Sequence, residues 1–473
     1  PNASLSGLLD DPGIRQAARI RAHAIVRATA SGELDIVLID RNEYDEWVER
    51  QQPSRITVPA VDVGDLPTTV DLATLAGDID DEVGLAAWRP VIGGKSVGFL
   101  ALLSTDGLTT PLRPLGLTVL PYFEHLERVE PALDAMLRHP DFQAHAWARY
   151  LLLEGEEDFR EAYTGGDDLA AADALIAANP PGTLLGDVLA ADGFKKYFRD
   201  EPMDGRTLEE ITVELEEAYR ELADTQGLRF RSSASVEDIE GFTGAGLYDS
   251  NTGVLDPDQD ERGRSVEESI KKTWASYWSF EAYEERRREN VDHRSGGMGV
   301  LVHPRFDDEL ETNNGVATVT LLPANDGEET AVRINVQLGA VSVTNPEEGE
   351  LPEVIEARRE PEGTWGVALL SPSTLAAEVM TADEAELLAE QLERVALVWR
   401  EHLNATLPSD QQVTVVTLDI EFKTMAPGWT ALDEGDSPGG LIIKQARSLD
   451  PGLRDVPGAV LELDIPRDVL ARA

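Results

Sequence analysis

The chain contains no cysteine among its 473 residues. Disulfides, thiolate metal centres such as zinc ribbons and a cysteine nucleophile are excluded, and the redox compartment cannot be inferred. Cations are scarce as well: 41 Lys plus Arg face 89 Asp plus Glu, for a net charge of −48. That balance disfavours nucleic acid and anionic membrane surfaces as partners. Lysine is rarest, limited to Lys95, Lys195, Lys196, Lys271, Lys272, Lys423 and Lys444, a composition that suggests a high-salt or GC-rich source. Long apolar runs are missing too. VGFLALL (Val97 to Leu103) is among the longest, far short of the ~20 residues that span a bilayer. The sequence opens at Pro1 without a charged and apolar leader, so the expectation is a fragment of a longer protein, located in the cytoplasm.

The length is sufficient for about three domains and a substantial core. Residues 1–82 mix short apolar runs, such as ELDIVLI (Glu33 to Ile39), with acidic turns and read as a small α/β piece. Residues 83–270 form a first main part, in which about 131–225 carries apolar residues at helical spacing, as in ITVELEEAYRELA (Ile211 to Ala223). Residues 271–473 turn β-rich: MGVLVHP, GVATVTLL, AVRINVQLG, WGVALL, VTVVTLDIEF and LIIKQARSL are β-branched runs bounded by turn residues. One helix interrupts them, over Thr381 to Leu403, with a Thr N-cap and a Glu three residues on. The fold class expected is α+β, with largely antiparallel sheets backed by helices.

The richest segment is RSSASVEDIEGFTGAGLYDS, Arg231 to Ser250. It sets an arginine, several hydroxyls and the glycines Gly241, Gly244 and Gly246 along one path. Glycine lets backbone N–H groups approach an anion, and a guanidinium offers a planar fork of donors to phosphoryl oxygens. By composition alone the segment is equally a Gly-rich surface turn beside a structural arginine. Farther on, Asp419 and Glu421 in LDIEF project from one face of a strand, with Ile420 on the other. Gln445 and Arg447 in IIKQARSL have the same spacing, and a long hairpin through 425–440 would bring all four together. Carboxylates and an amide oxygen suit Mg²⁺, and a guanidinium suits polyphosphate. A solvated strand face with cross-strand charge pairs is the other reading of those residues.

The Arg231 segment resembles the V-R-S-S-A-x-x-E-D signature and following A-G turn of the ATP-binding domain of pyruvate phosphate dikinase and phosphoenolpyruvate synthase. Its glycine half, GAGLYDS, is similar to the glucan water dikinases of the same superfamily. VIGGKSVGFLALLSTDGL (Val91 to Leu108) resembles the family's G-G-K-x-x-x-L-x-x-L opening, and LDIEF with IIKQARSL resembles its D-I-E-F and L-Q-x-R-P pair. Four motifs stand in the family's order from about Val91 to Leu449. The resemblance implies an ATP-grasp fold, two α+β lobes pinching a nucleotide, with a helical insertion. It implies that Lys95, Arg231 and Arg447 serve catalysis and that Gly93, Gly94, Lys95, Arg231, Ser232, Gly244, Gly246, Gln445 and Arg447 bind ATP. Asp419, Glu421 and Gln445 would hold Mg²⁺. Glu237 and Asp238 match the family's E-D pair and are read as structural support, capping the turn or holding Arg231.

The implied activity is transfer of a phosphoryl group from Mg-ATP to a histidine on a mobile swivelling domain, leaving AMP, the phosphorylated histidine, and phosphate or pyrophosphate. None of the seven histidines, His23, His125, His139, His145, His293, His303 and His402, lies in the context where the family places that acceptor. Either the swivelling domain lies before Pro1 or on another chain, or the protein uses another acceptor. The opening PNASLSGLL reads either as the tail of such a domain or as an unrelated extension. The final acceptor would be a small molecule or a glucan, though the aromatics form no sugar-binding platform. Two departures stand out. NNGVATVTLLP replaces the family's S-G-V-x-F-T-x-x-P, and QLGAVSV puts Ala340 where many members carry the glutamate of G-L-G-E. GAGLYDS leaves a glucan water dikinase-like kinase as one alternative, and the lost glutamate with the absent acceptor histidine leaves a catalytically silent nucleotide-binding module as another.

Overall fold

The computed structural model describes residues 23–28, 34–39 and 55–449, the last stretch with gaps at 60, 62–63, 65, 79–84, 164–165, 221–226, 240, 260–261, 325–326, 344–345, 348, 361–362, 406, 410 and 430–438. Strands β1 (His23–Ala28) and β2 (Leu34–Ile39) pair antiparallel. A five-stranded sheet follows, built from β3 (Thr69–Asp71), β4 (Leu115–Leu117), β5 (Leu228–Ala234), β6 (Asn251–Gly253) and β7 (Met298–Pro304), in the order β3-β4-β7-β5-β6. A six-stranded sheet comprises β8 (Glu311–Ala324), β9 (Gly327–Leu338), β10 (Glu353–Arg359), β11 (Trp365–Ser371), β12 (Val416–Met425) and β13 (Gly440–Ser448), in the order β11-β10-β9-β8-β12-β13. Every pairing within these sheets is antiparallel. The α+β class expected from the sequence is therefore what the chain adopts.

The helical region expected at about 131–225 is found between β4 and β5, from Leu120–Leu137 through Gly205–Ala218. Its apolar faces join Trp274, Tyr277 and Trp278 and the inner face of the five-stranded sheet in one core. A second core lies between the six-stranded sheet and two helices, Gly94–Leu103 and Ala382–Ala405. The latter starts as its sequence predicts: the Thr381 N–H donates to Glu384 Oε2 (2.8 Å) and the Glu384 N–H to Thr381 Oγ1 (3.3 Å), a reciprocal cap.

Sheet membership does not follow the boundaries expected at 82/83 and 270/271. β3 enters the first sheet from before 83, and β7 enters it from beyond 271. The helix Gly94–Leu103 packs in the second core although it precedes the first sheet's central strands. Long-range pairing, which no local pattern encodes, causes this interleaving. β10 is a further element the sequence reading did not separate. The PNASLSGLL stretch lies outside the described residues.

Candidate functional site

Burial along β12 alternates strictly over Leu418–Lys423: Leu418, Ile420 and Phe422 are buried, while Asp419, Glu421 and Lys423 are half-exposed. Period-2 geometry thus aims the two carboxylates and a lysine at one face. β13 lies beside it in a register that sets Asp419 opposite Arg447 and Glu421 opposite Gln445. The hairpin expected from the sequence is formed. The register then shifts, with Phe422 opposite Ile443, so Lys444 is the extra residue of a bulge. The bulge lets both Lys444 and Gln445 serve the Glu421 side of the strand, and Lys444 Nζ lies 3.0 Å from Glu421 Oε2.

Arg231 reaches this hairpin from the other sheet. Its guanidinium donates to the Lys444 carbonyl (2.9 Å), to Glu421 Oε2 (3.1 Å) and to Gln445 Oε1. Burial alone would push the Glu421 carboxyl up, but Lys444 and Arg231 outweigh it and hold the group far below the usual carboxylate range. Glu421 therefore stays ionised. Arg447 pairs with Asp419 through two guanidinium nitrogens.

The helix Gly94–Leu103 supplies the third side of the cluster. Gly93 adopts φ +79°, and a Cβ there would lie 1.7 Å from the Ser233 carbonyl oxygen, so only glycine permits so close an approach to β5. Ser233 Oγ locks the contact by donating to the Ile92 carbonyl (2.7 Å) and accepting from the Ser96 N–H (2.9 Å). Lys95 Nζ is thereby placed 3.2 Å from Ser232 Oγ and 2.5 Å from Glu237 Oε1. Glu237 was expected to cap the turn or hold Arg231. One of its oxygens does cap the turn, accepting from the Ala234 N–H (3.0 Å), while the other holds Lys95 and not Arg231.

Lys95, Arg231, Ser232, Glu421 and Gln445 thus meet at the seam between the two sheets, with the Arg447–Asp419 pair one register step away. Gly93 and Gly94 shape the helix start. Gly244 and Gly246 have the positive φ values their turn needs, +63° and +75°, and Ser232 Oγ ties this segment down through the Tyr248 carbonyl (3.2 Å). Neither glycine lines the adjoining cavity of about 930 Å³, whose wall includes Arg231, Glu421 and Lys444. Lys423 and Lys444 belong to this cluster and were not singled out from sequence. Lys423 was readable from its i+2 spacing after Glu421, whereas Lys444 depends on a bulge that no periodicity reveals.

Residues 189–348 match the family described as pyruvate phosphate dikinase, AMP/ATP-binding domain. The resemblance carried by the motifs holds over this stretch. The chain is also similar to a probable phosphoenolpyruvate synthase of Pyrococcus horikoshii, 28% identical over 140 residues, and to the phosphoenolpyruvate synthase of Pyrococcus furiosus, 27% identical over 140 residues. Each alignment covers 28% of this chain and 16% of the relative. The family match contains the Arg231 segment, whereas Lys95 and the β12–β13 hairpin lie outside it. They are joined to it by the hydrogen bonds above. No helix among the described residues is long and apolar enough to cross a membrane.

Asp238 takes a left-handed backbone conformation at φ +55°. Burial, then the neighbouring Glu237, pushes its carboxyl up to about 7, against the pull of Arg447, Arg89 and Lys95. Between the ordinary value of 3.8 and about 7, the native state holds a proton that the unfolded chain has released. This group's contribution to stability therefore declines as pH rises through that window. Asparagine tolerates positive φ and cannot ionise. Asp238→Asn is expected to melt progressively higher than the wild type as pH is raised from 5 to 8. A melting-temperature difference that stays constant across that range would show an ordinary carboxylate.

Proposed function

We propose that the chain is the Mg-ATP-binding part of a dikinase-type phosphotransferase, with its two sheets acting as the lobes of an ATP-grasp fold. It passes a phosphoryl group from ATP to a histidine on a swivelling domain, in cis or in trans. The observation that carries this reading is the convergence of three cations from separate elements: Arg231 on Glu421 and Gln445, Lys444 on Glu421, and Lys95 beside them on Ser232 and Glu237. In such transfers the protein supplies mainly position and charge neutralisation. Arg231, Lys95 and Arg447 bind phosphate oxygens, and Ser232 fixes Lys95.

The donor set fits a Mg²⁺ ion. Asp419 and Glu421 offer carboxylates and Gln445 an amide oxygen, and these atoms now accept from Arg447, Lys444 and Arg231. Mg²⁺ is usually held by one or two carboxylates and completed by substrate phosphates and water. Among the described residues no group of three or more His, Asp or Glu is placed to hold a metal without such help. The ion, when bound, neutralises charge on the phosphates.

Arg231, Lys444, Arg447 and Lys95 are each paired with a carboxylate or amide that would serve the metal or anchor the helix. Metal and nucleotide consequently release one another's partners, and their binding is coupled. ATP affinity measured by calorimetry is expected to drop at least about tenfold when EDTA replaces Mg²⁺, and Glu421→Gln is expected to erase most of that difference. Equal affinity with and without Mg²⁺ would remove Glu421 from the metal site. The alternative of a silent nucleotide-binding module draws on Ala340, which offers no carboxylate after β9. Isotope-traced AMP release in the presence of a histidine-bearing partner domain separates the two: Mg-ATP binding without any AMP favours the module.

A further inference from the structure

The cavity beside Arg231 has a wall unlike the rest of this acidic molecule. Besides Arg231, Lys423 and Lys444 it carries four more arginines, Arg229, Arg262, Arg264 and Arg305, and among the described residues its carboxylates are Asp308 and Glu421. Three local features bring the arginines together. Arg229 lies two residues before Arg231 on the same face of β5, with Phe230 buried between them. Arg305 follows β7, the neighbouring strand, and its N–H bonds to the Gly227 carbonyl (2.8 Å). Arg262 and Arg264 lie on the return from β6, where the Arg264 carbonyl accepts from the Val254 N–H (3.0 Å).

These charges crowd one another. Burial, then Arg231 and Arg305, lowers the Arg229 pKa. His303 in the same wall is pushed down to about 3, by burial first and then by Arg231, Lys444 and Arg229, and so stays neutral. Arg305 is paired with Asp308, yet among the described residues the lining carries seven Lys and Arg against two carboxylates, and such a surface attracts anions. Among the described residues the lining offers little to a flat apolar ring: its apolar side chain is Phe306, which is already stacked on Trp429 (centroids 4.9 Å apart) and has Lys423 Nζ 5.4 Å from its centre. Mg-ATP brings only about two net negative charges, and in the function proposed above its phosphates engage Arg231, Lys95 and Arg447, of which only Arg231 lines this cavity.

We propose that Arg229, Arg262, Arg264 and Arg305, with the hydroxyls of Thr252 and Ser250, form a second anion subsite. It takes a small ligand bearing two or more phosphate groups, held alongside Mg-ATP. Thr252 Oγ1 accepts from Arg229 Nη1 (3.1 Å) and orients that guanidinium. Binding alongside the nucleotide rests on the Mg-ATP reading; the anion subsite itself does not.

The test is calorimetric titration of inorganic tripolyphosphate into the whole chain at constant ionic strength, with and without a saturating non-hydrolysable Mg-ATP analogue. A parallel arm uses fructose 1,6-bisphosphate, which distinguishes a phosphate chain from two separated phosphate esters as the preferred form. A ternary complex is expected with at least one of these probes. Arg229→Gln with Arg305→Gln is expected to weaken the probe at least about tenfold and to leave the affinity for the analogue within about twofold. Arg262→Gln, on an exposed loop, gives a second reading should the double variant melt early. Simple displacement of the analogue by both probes, or full probe affinity in the folded variants, overturns the subsite. Probe binding by a chain that does not bind the analogue upholds the subsite and removes the Mg-ATP reading instead.

Discussion

Arg231→Ala is expected to lower Mg-ATP affinity by about 10- to 150-fold for each hydrogen bond to phosphate that it removes, since a hydrogen bond to a charged group contributes about 1.5–3 kcal/mol. The side chain is only 8% exposed and bridges two sheets, so a purely structural role would also register, as reduced stability. The two effects separate because Glu421 retains Lys444 at 3.0 Å and no carboxylate is stranded. The buried Gln445 oxygen is deprived of its Arg231 donor, at a cost of about 1–3 kcal/mol. Arg231→Lys sharpens the comparison. A lysine is a point charge and cannot serve the Lys444 carbonyl and the Glu421 and Gln445 side chains at once. It is expected to recover stability in larger part than affinity. Calorimetry beside thermal melts reads both quantities, and an unchanged Mg-ATP affinity in folded Arg231→Ala would reduce this residue to a strut between the sheets.

The parts of this site that alternate along a strand were legible in the sequence. Asp419 and Glu421 share a face because Leu418, Ile420 and Phe422 are apolar, and the structure buries those three. That Asp419, Glu421, Gln445 and Arg447 come together was readable from equal spacing in two runs joined by a hairpin, whereas the register that sets Asp419 opposite Arg447 and Glu421 opposite Gln445 was not. Three other things were not legible. Lys444 joins Glu421 through a bulge, and bulges leave no periodic trace. Glu237 pairs with Lys95 across 142 positions, a partnership decided by helix docking and not by the local turn. The interleaving of the two sheets along the chain is the third: β7 lies between β4 and β5 and not beside β8, its successor in sequence. The arginine-rich wall is a fourth case. Arg229, Arg262 and Arg305 look dispersed along an acidic chain and become one surface only when β5, β6 and β7 are laid side by side.

The largest drop in stability is expected from Gly93→Ala, a single added methyl group. At φ +79° and ψ 172° the backbone is in a region essentially reserved for glycine, which costs another residue about 1–3 kcal/mol. The added carbon would also stand 1.7 Å from the Ser233 carbonyl oxygen and 2.3 Å from its carbon, atoms fixed by the sheet. Overpacking a tight contact costs about another 1–3 kcal/mol, and here relief requires the helix to withdraw from β5. Withdrawal would break the Ser233 bonds to Ile92 and Ser96 and carry Lys95 away from Ser232 and Glu237. Retreat is opposed from the far side as well, since a Cβ at Gly98 would meet the Ala446 carbonyl oxygen at 1.9 Å, so the helix is pressed between β5 and β13. A total of about 2–6 kcal/mol implies a melting temperature lower by about 2–6 °C for a chain of 473 residues unfolding as one unit, with Mg-ATP affinity falling in parallel. Gly246→Ala is the control. It shares a positive φ, +75°, but has nothing within 4 Å of the added carbon, so only the backbone cost of about 1 kcal/mol applies. Similar melting temperatures for the two variants would mean that the helix start is not wedged against β5, and the placement of Lys95 would be left without its physical cause.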